Sequence, residues 1–204
     1  TQDTMVNLSQ SCGFSVMMGG RRVFTPFAEY YQKYVDTAIQ DVVTGATDYN
    51  SAVRKVVTQM TNSGLRVVDY ASGHTNRADV AARRAVLTGV NQITAQISEH
   101  NAEKLGTDQF EVSWHPCARP DHQTWQGKVF SKEELRTVCG YGSVTGLCGA
   151  NCRHSFDPFI PGISERLYPD DWLEEQNKRE AQTKEWNGKQ LNAYEQTQQQ
   201  RKME

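Results

Sequence analysis

Phe110-Glu111-Val112-Ser113-Trp114-His115-Pro116-Cys117-Ala118-Arg119-Pro120-Asp121-His122 is the stretch at which the chain changes character. Up to about residue 104 its apolar residues recur at helical spacing. Here Phe110, Val112 and Trp114 alternate with polar neighbours, which is strand periodicity. His115 to His122 is a proline-broken loop. Val129-Phe130 reads as a short strand, and Ser131 three residues before Glu134 has the spacing of a capping box, so a short helix is expected from Lys132 to about Cys139. Gly140, Gly142, Gly146 and Gly149 make the following segment a tightly folded loop, and Pro158, Pro161 and Gly162 close the module.

Upstream, Thr25-Pro26 reads as an N-cap and a first-turn proline. Behind them come Phe27, Tyr30, Tyr31, Tyr34, Val35, Ala38, Ile39, Val42 and Val43, a helical stripe that Gly45 can stop. A second helix fits Ser51 to about Asn62, with Val53, Val56, Val57 and Met60 on one face and Gly64 at its end. Asp69 to His74 then reads as a turn. A third, long amphipathic helix fits Arg77 to about Asn101, with Val86, Val90, Ile93 and Ile97 as a seam facing a partner. Downstream, Pro169-Asp170-Asp171 opens a polar helix, interrupted at Asn187-Gly188. A further helical stretch runs from Leu191 to Glu204. Its apolar content is too thin to hold it against the body, so it is expected to be disordered or bound to a neighbouring chain.

The fold expected is α+β and mainly α. Its parts are an N-terminal segment (1–24), a helical region (25–104), a small Cys/His-rich mixed module (105–163) and a polar helical arm (164–204). The chain begins at Thr1 and ends within a polar helical pattern, so it is expected to be a piece of a longer protein.

Composition narrows the function. The 22 basic and 24 acidic residues leave a net charge of −2, which gives no electrostatic footprint for wrapping DNA. There is no run of about 18 apolar residues to span a membrane, and no charged and apolar leader pattern opens the chain. The cysteines number five (Cys12, Cys117, Cys139, Cys148 and Cys152), and four of them fall between Cys117 and Cys152. An odd count without a secretion signal argues against a disulfide framework.

Two readings of that cluster stand side by side. In one, His122, Cys148, Cys152 and His154 form a tetrahedral structural zinc site, with His115, Cys117 and Cys139 in reserve. Such a site staples a module too small to hold itself by hydrophobic burial. In the other, the cysteines are small buried residues and the histidines cap loops. Arg119 is expected to brace its loop. Trp125 and Trp114 are expected in the core, and His74 and His100 on the surface.

The elements Arg119-Pro120-Asp121-His122, Gly127-Lys128-Val129-Phe130 and Asn151-Cys152-Arg153-His154 occur in that order, followed by Pro158-Phe159-Ile160-Pro161-Gly162. In these the chain resembles the phage minor capsid proteins of the Mu F-like head morphogenesis superfamily, in the branch found in phages of Gram-positive bacteria. The helices upstream, with Arg83-Arg84-Ala85-Val86, are similar too. Cys117 departs from the pattern, which has a small residue such as glycine there.

The resemblance implies a non-enzymatic structural protein of the virion, made in the bacterial host cytoplasm. It would dock at or near the portal, contact portal or capsid proteins, and aid head assembly, DNA packaging or delivery. Self-association through the helices fits the seam. Two other functions compete: a metal-dependent nuclease using the Cys/His cluster with Asp121 and Asp157 nearby, and an adaptor acting through its helices. A nuclease metal needs an open position and a base beside its water; four good ligands with no spare base favour a closed, structural site.

Overall fold

The computed structural model describes residues 13–62, 67–69 and 75–203. Cys12, Gly64, the turn at 70–74 and His74 lie outside them. The chain forms two compact units that divide between Ile93 and Thr94, and each is described by itself.

The first unit opens with a hairpin, β1 (Gly13–Met18) and β2 (Arg21–Pro26), paired from Gly13↔Pro26 to Met18↔Arg21. Gly19 and Gly20 form its two-residue turn with φ of 58° and 79°. Positive φ at both positions is the twist a two-residue hairpin needs, and glycine adopts it without a Cβ clash. Helix α1 (Phe27–Val43) follows directly, then α2 (Tyr49–Asn62). Asp48 starts α2 by accepting the Ser51 amide at 3.0 Å. A second hairpin, β3 (Val67–Asp69) and β4 (Thr75–Arg77), leads to α3 (Ala78–Leu105).

The core of this unit follows from helical spacing. Tyr31, Val35, Ala38 and Ile39 of α1 meet Ala52, Val53, Val56 and Met60 of α2 and Ala78, Ala81, Ala82, Ala85 and Val86 of α3. Each set repeats at three and four residues, so it forms one stripe. The α3 side is mostly alanine, which lets the backbones approach closely. A Cβ added at Gly89 would lie 2.2 Å from Cδ1 of Ile39. Tyr31 is buried with its hydroxyl donating to the Ala81 carbonyl at 3.3 Å.

The expected seam on α3 holds for Val86, Val90 and Ile93 but not for Ile97, which is 49% exposed. Beyond Ile93 the buried positions of α3 are Ala95, Ser98 and Ala102. These small residues belong to the second unit, where Ser98 Oγ donates to the Phe156 carbonyl at 2.6 Å.

The second unit is built on a three-stranded antiparallel sheet in the order β6-β5-β7: β5 (Gln109–Val112), β6 (Val129–Ser131) and β7 (Phe156–Phe159). Phe110 pairs with Phe130 on one side and Pro158 on the other. β7 was not expected as a strand. Pro158 lacks an amide donor, and its strand is tolerated because it lies at the sheet edge. Nor does β5 alternate as expected: Glu111 is only 7% exposed. Its carboxylate accepts from the Leu167 amide at 3.0 Å and the Tyr168 amide at 3.3 Å, and pairs with Arg166 Nε at 3.4 Å.

Helix α4 (Pro120–Gln123) begins with proline after Arg119, and α5 (Lys132–Thr137) begins with the expected capping box. The Ser131 side chain accepts the Glu134 amide at 3.3 Å, while Glu134 accepts the Ser131 amide at 2.8 Å. Ser131→Ala is therefore expected to destabilise the second unit by about 1 kcal/mol, and Ser131→Asp to recover most of that, as read by chemical denaturation.

The first helix of the polar end packs on the module. Helix α6 (Asp170–Ala181) buries Leu173 against Gly127, where an added Cβ would lie 2.5 Å from Leu173 Cδ2. Glu180 accepts the Cys117 amide at 2.7 Å. Asn187-Gly188 does not interrupt a helix. It is the turn of a hairpin, β8 (Lys184–Trp186) with β9 (Lys189–Leu191), and both turn residues have positive φ, 49° and 76°. Asn192 and Glu195 then cap α7 (Ala193–Met203) reciprocally, each bond 2.9 Å.

Candidate metal centre

Two short elements of the second unit converge on one buried point. Arg119-Pro120 starts α4 and sets His122 on its first turn. The glycine-rich loop brings Cys152 and His154 opposite. That loop folds on itself through bonds from Leu147 N to Cys139 O at 2.9 Å and Ala150 N to Val144 O at 2.7 Å. Cys148 and Asn151 adopt left-handed backbone, φ 57° and 59°, a strained conformation for residues other than glycine and one that often marks a functional site.

His122, Cys152 and His154 are at most 3% exposed. The two Nδ1 atoms are 3.3 Å apart, and Cys152 Sγ lies 3.5 Å from His154 Nδ1 and 3.9 Å from His122 Nδ1. A tetrahedral zinc with nitrogens at about 2.05 Å and sulfur at about 2.3 Å has N···N edges near 3.3 Å and N···S edges near 3.6 Å. The triangle is that size.

The outer ring nitrogens complete the pattern. His154 Nε2 meets Gln126 Oε1 at 2.9 Å, and His122 Nε2 meets the Thr145 carbonyl at 3.0 Å. His154, donating outward to the Gln126 oxygen, presents its other lone pair inward, which is how metal-bound histidines are ordinarily oriented; His122 does the same when its Nε2 donates to Thr145 and not when it accepts from Arg119. Arg119 Nη2 contacts the same Thr145 carbonyl and stands beside His122 Nε2, bracing the loop as expected.

Burial sets the charge state of the site. Burial, with His115, His122 and Arg119 nearby, pushes His154 down to about 3. Burial is also the main cause that lowers His122. Both imidazoles are thus neutral and free to ligate at ordinary pH. Burial pushes the Cys148 thiol up to about 12 and raises Cys152. The Cys152 sulfur accepts the His154 amide at 3.4 Å, which favours thiolate. A divalent cation would supply the positive charge that stabilises the thiolate in this dry site. Trp125 walls it, its ring centre 4.5 Å from that of His122 and 4.9 Å from that of His154.

The four expected ligands are therefore placed as follows. Among the described residues, His122, Cys152 and His154 form the one group able to hold a metal ion, with ligand atoms all within 4.8 Å of one another. Cys148 is not within that mutual distance; it is buried beside the group, its sulfur 3.6 Å from the His154 carbonyl. Of the reserves, His115 bonds Ser113 Oγ at 3.1 Å, with its ring centre 5.0 Å from that of His154. Cys117 is half-buried, and Cys139 sits in the core with its thiol pushed up to about 12 by burial. Gln126, buried and four residues after His122, escaped the sequence reading, although that spacing puts it within reach of the same turn.

Among the described residues, neither carboxylate considered as a base, Asp121 or Asp157, stands at the inward face. Asp121 is 63% exposed and approaches the outer nitrogen of His122, at 3.9 Å. Asp157 is exposed, 3.5 Å from Ser98 Oγ.

The model of the family described as Phage minor capsid protein 2 matches residues 21–204. The chain belongs to that family. No curated protein and no solved structure matches it. As a phage minor capsid protein it is a structural protein of the phage head, and nothing in the match supports a nuclease. Among the described residues, no helix of this minor capsid protein is long and apolar enough to cross a membrane.

Proposed function

We propose that this minor capsid protein is of the Mu F-like kind, docks near the portal as a low-copy component of the head, and is held in shape there by one structural zinc ion. Its site in the cell would be the host cytoplasm during assembly and the virion afterwards. The supporting observation for the zinc is the triangle of His122, Cys152 and His154, with both outer imidazole nitrogens on carbonyl oxygens. Cys148, adjacent and buried, would close the tetrahedron as fourth ligand by a rotation of its side chain. With four protein ligands and neither Asp121 nor Asp157 at the inner face, the metal would serve folding and not catalysis, so the protein acts as no enzyme. The Cys/His module at 105–163 would be the stapled piece, and the helical region (25–104) and arm (164–204) would carry contacts to portal or capsid neighbours. DNA contact, with a net charge of −2, would be secondary.

A metal-free reading also has an observation behind it. Arg119 Nη2 lies against His122 Nε2. If that nitrogen accepts the guanidinium proton, His122 Nδ1–H donates to His154 Nδ1 and no cation is needed between them.

The portal assignment is tested by cross-linking mass spectrometry on purified heads. Cross-links from this chain to the portal protein, at a small fraction of the major capsid signal, are expected. Absence of the chain from intact heads, or cross-links to the shell protein alone, overturns it.

A further inference from the structure

Gln126 is a polar side chain 2% exposed. Its Oε1 accepts two bonds, from the His115 backbone amide at 3.0 Å and from His154 Nε2 at 2.9 Å. A backbone amide can only donate, so the side-chain atom facing it must be the oxygen and the flipped amide is excluded. The same oxygen can only accept from His154, so Nε2 must carry the ring proton. A neutral imidazole protonated at Nε2 has its lone pair on Nδ1, the atom that faces His122 Nδ1 and Cys152 Sγ. The other end of the amide, Nε2 of Gln126, is buried without a hydrogen-bond partner. Leucine or methionine would fill this space with no orphan donor. What glutamine adds is an oxygen held at one fixed point.

We infer that Gln126 is the positioning residue of the candidate metal centre: it fixes the tautomer and the orientation of His154 so that Nδ1 is presented to the ion. The metal consequence rests on the reading proposed above; the tautomer assignment does not. The His115 bond supplies the leverage. It anchors the amide to the loop after β5, so that the oxygen cannot turn away from His154.

The test uses the full chain in three forms: unchanged, Gln126→Glu, which keeps an acceptor oxygen, and Gln126→Leu, which removes it. Long-range proton–nitrogen correlation spectra of the histidine rings are recorded on the folded chains as purified, and binding is then followed by the visible absorption of cobalt(II). The unchanged chain and Gln126→Glu are expected to carry the His154 proton on Nε2. Gln126→Leu is expected to show mixed tautomers, a cobalt affinity lower by about 10- to 100-fold and a broadened cobalt spectrum. His154 protonated on Nδ1 in the unchanged chain overturns the inference, and does so even if Gln126→Leu fails to fold. Equal tautomers and equal cobalt affinity in all three chains also overturn it. If the unchanged chain shows the Nε2 tautomer but binds no cobalt, the metal reading fails while the positioning of His154 by Gln126 stands.

Discussion

Cys152→Ala is expected to abolish metal binding and, with it, cooperative melting of the unit formed by residues 94–203. The substitution removes the sulfur that lies 3.5 and 3.9 Å from the two inward imidazole nitrogens. It leaves an ion held between them only two imidazole nitrogens, His122 and His154 Nδ1, 3.3 Å apart. Structural zinc contributes about 10–16 kcal/mol to small zinc-folded peptides at neutral pH, whereas a whole domain is stable by about 5–15 kcal/mol. Even a modest part of that contribution is therefore comparable with everything else the unit has. The second core holds Phe110, Phe156, Trp125, Leu135 and Leu147 with Phe130 and Tyr141 packed against them, and Cys139, Cys148 and Cys152 fill positions beside the site. The core of the first unit shares no residue with the site and gives an internal reference. Calorimetry should show its transition retained while the other broadens or disappears. A variant that melts within a degree or two of the parent would show that Cys152 is only a small buried residue.

Gly146→Ala is expected to cost about 3 kcal/mol or more, at the upper end of what overpacking costs, and to weaken metal binding as well. An added Cβ would sit 2.0 Å from the Gly140 carbonyl oxygen and 2.4 Å from its carbon. Both atoms are backbone, so no side-chain rotation relieves the clash. The two strands of the loop must separate, breaking the bond from Leu147 N to Cys139 O at 2.9 Å and shifting Leu147, which is 1% exposed. The carbonyl of Thr145, which bonds His122 Nε2, moves with them. Denaturation with and without added zinc measures both effects. An alanine variant as stable as the parent would mean that this loop is looser than its packing shows.

These two substitutions also separate what sequence could tell from what it could not. The capping box at Ser131 and Glu134 was legible because its signal is local and reciprocal. The core of the first unit was legible because Tyr31, Val35, Ala38 and Ile39 keep helical spacing. The clustering of His122, Cys152 and His154 was legible because Cys and His recur closely on two loops of one module, and these three of the four candidate residues have their donor atoms within 4.8 Å of one another.

Other features depend on partners distant in the chain. Glu111 reads as the polar half of an alternating strand until the segment at 166–168 covers it with Arg166 and two backbone amides. Ile97 fits the seam until the buried face of α3 passes to Ala95, Ser98 and Ala102. The β7 strand was hidden by Pro158, since proline argues against a strand unless the strand is known to lie at an edge. Gln126 has no motif of its own; only the two donors converging on its oxygen reveal it.

Gly19-Gly20 and Asn187-Gly188 are strong two-residue hairpin signals. At the second pair the surrounding residues are polar and rich in helix formers, which masks the turn signal. In the structure both pairs are the turns of antiparallel hairpins.

The metal content of the freshly purified, reduced chain tests the central claim most directly. Elemental mass spectrometry is expected to find about one zinc per chain, resistant to dialysis and lost on Cys152→Ala. Zinc near zero in a folded chain that takes up none when it is added would contradict the account: the hydrogen bond from His122 to His154 would then hold the site, and the cysteines would be there only to fill the core.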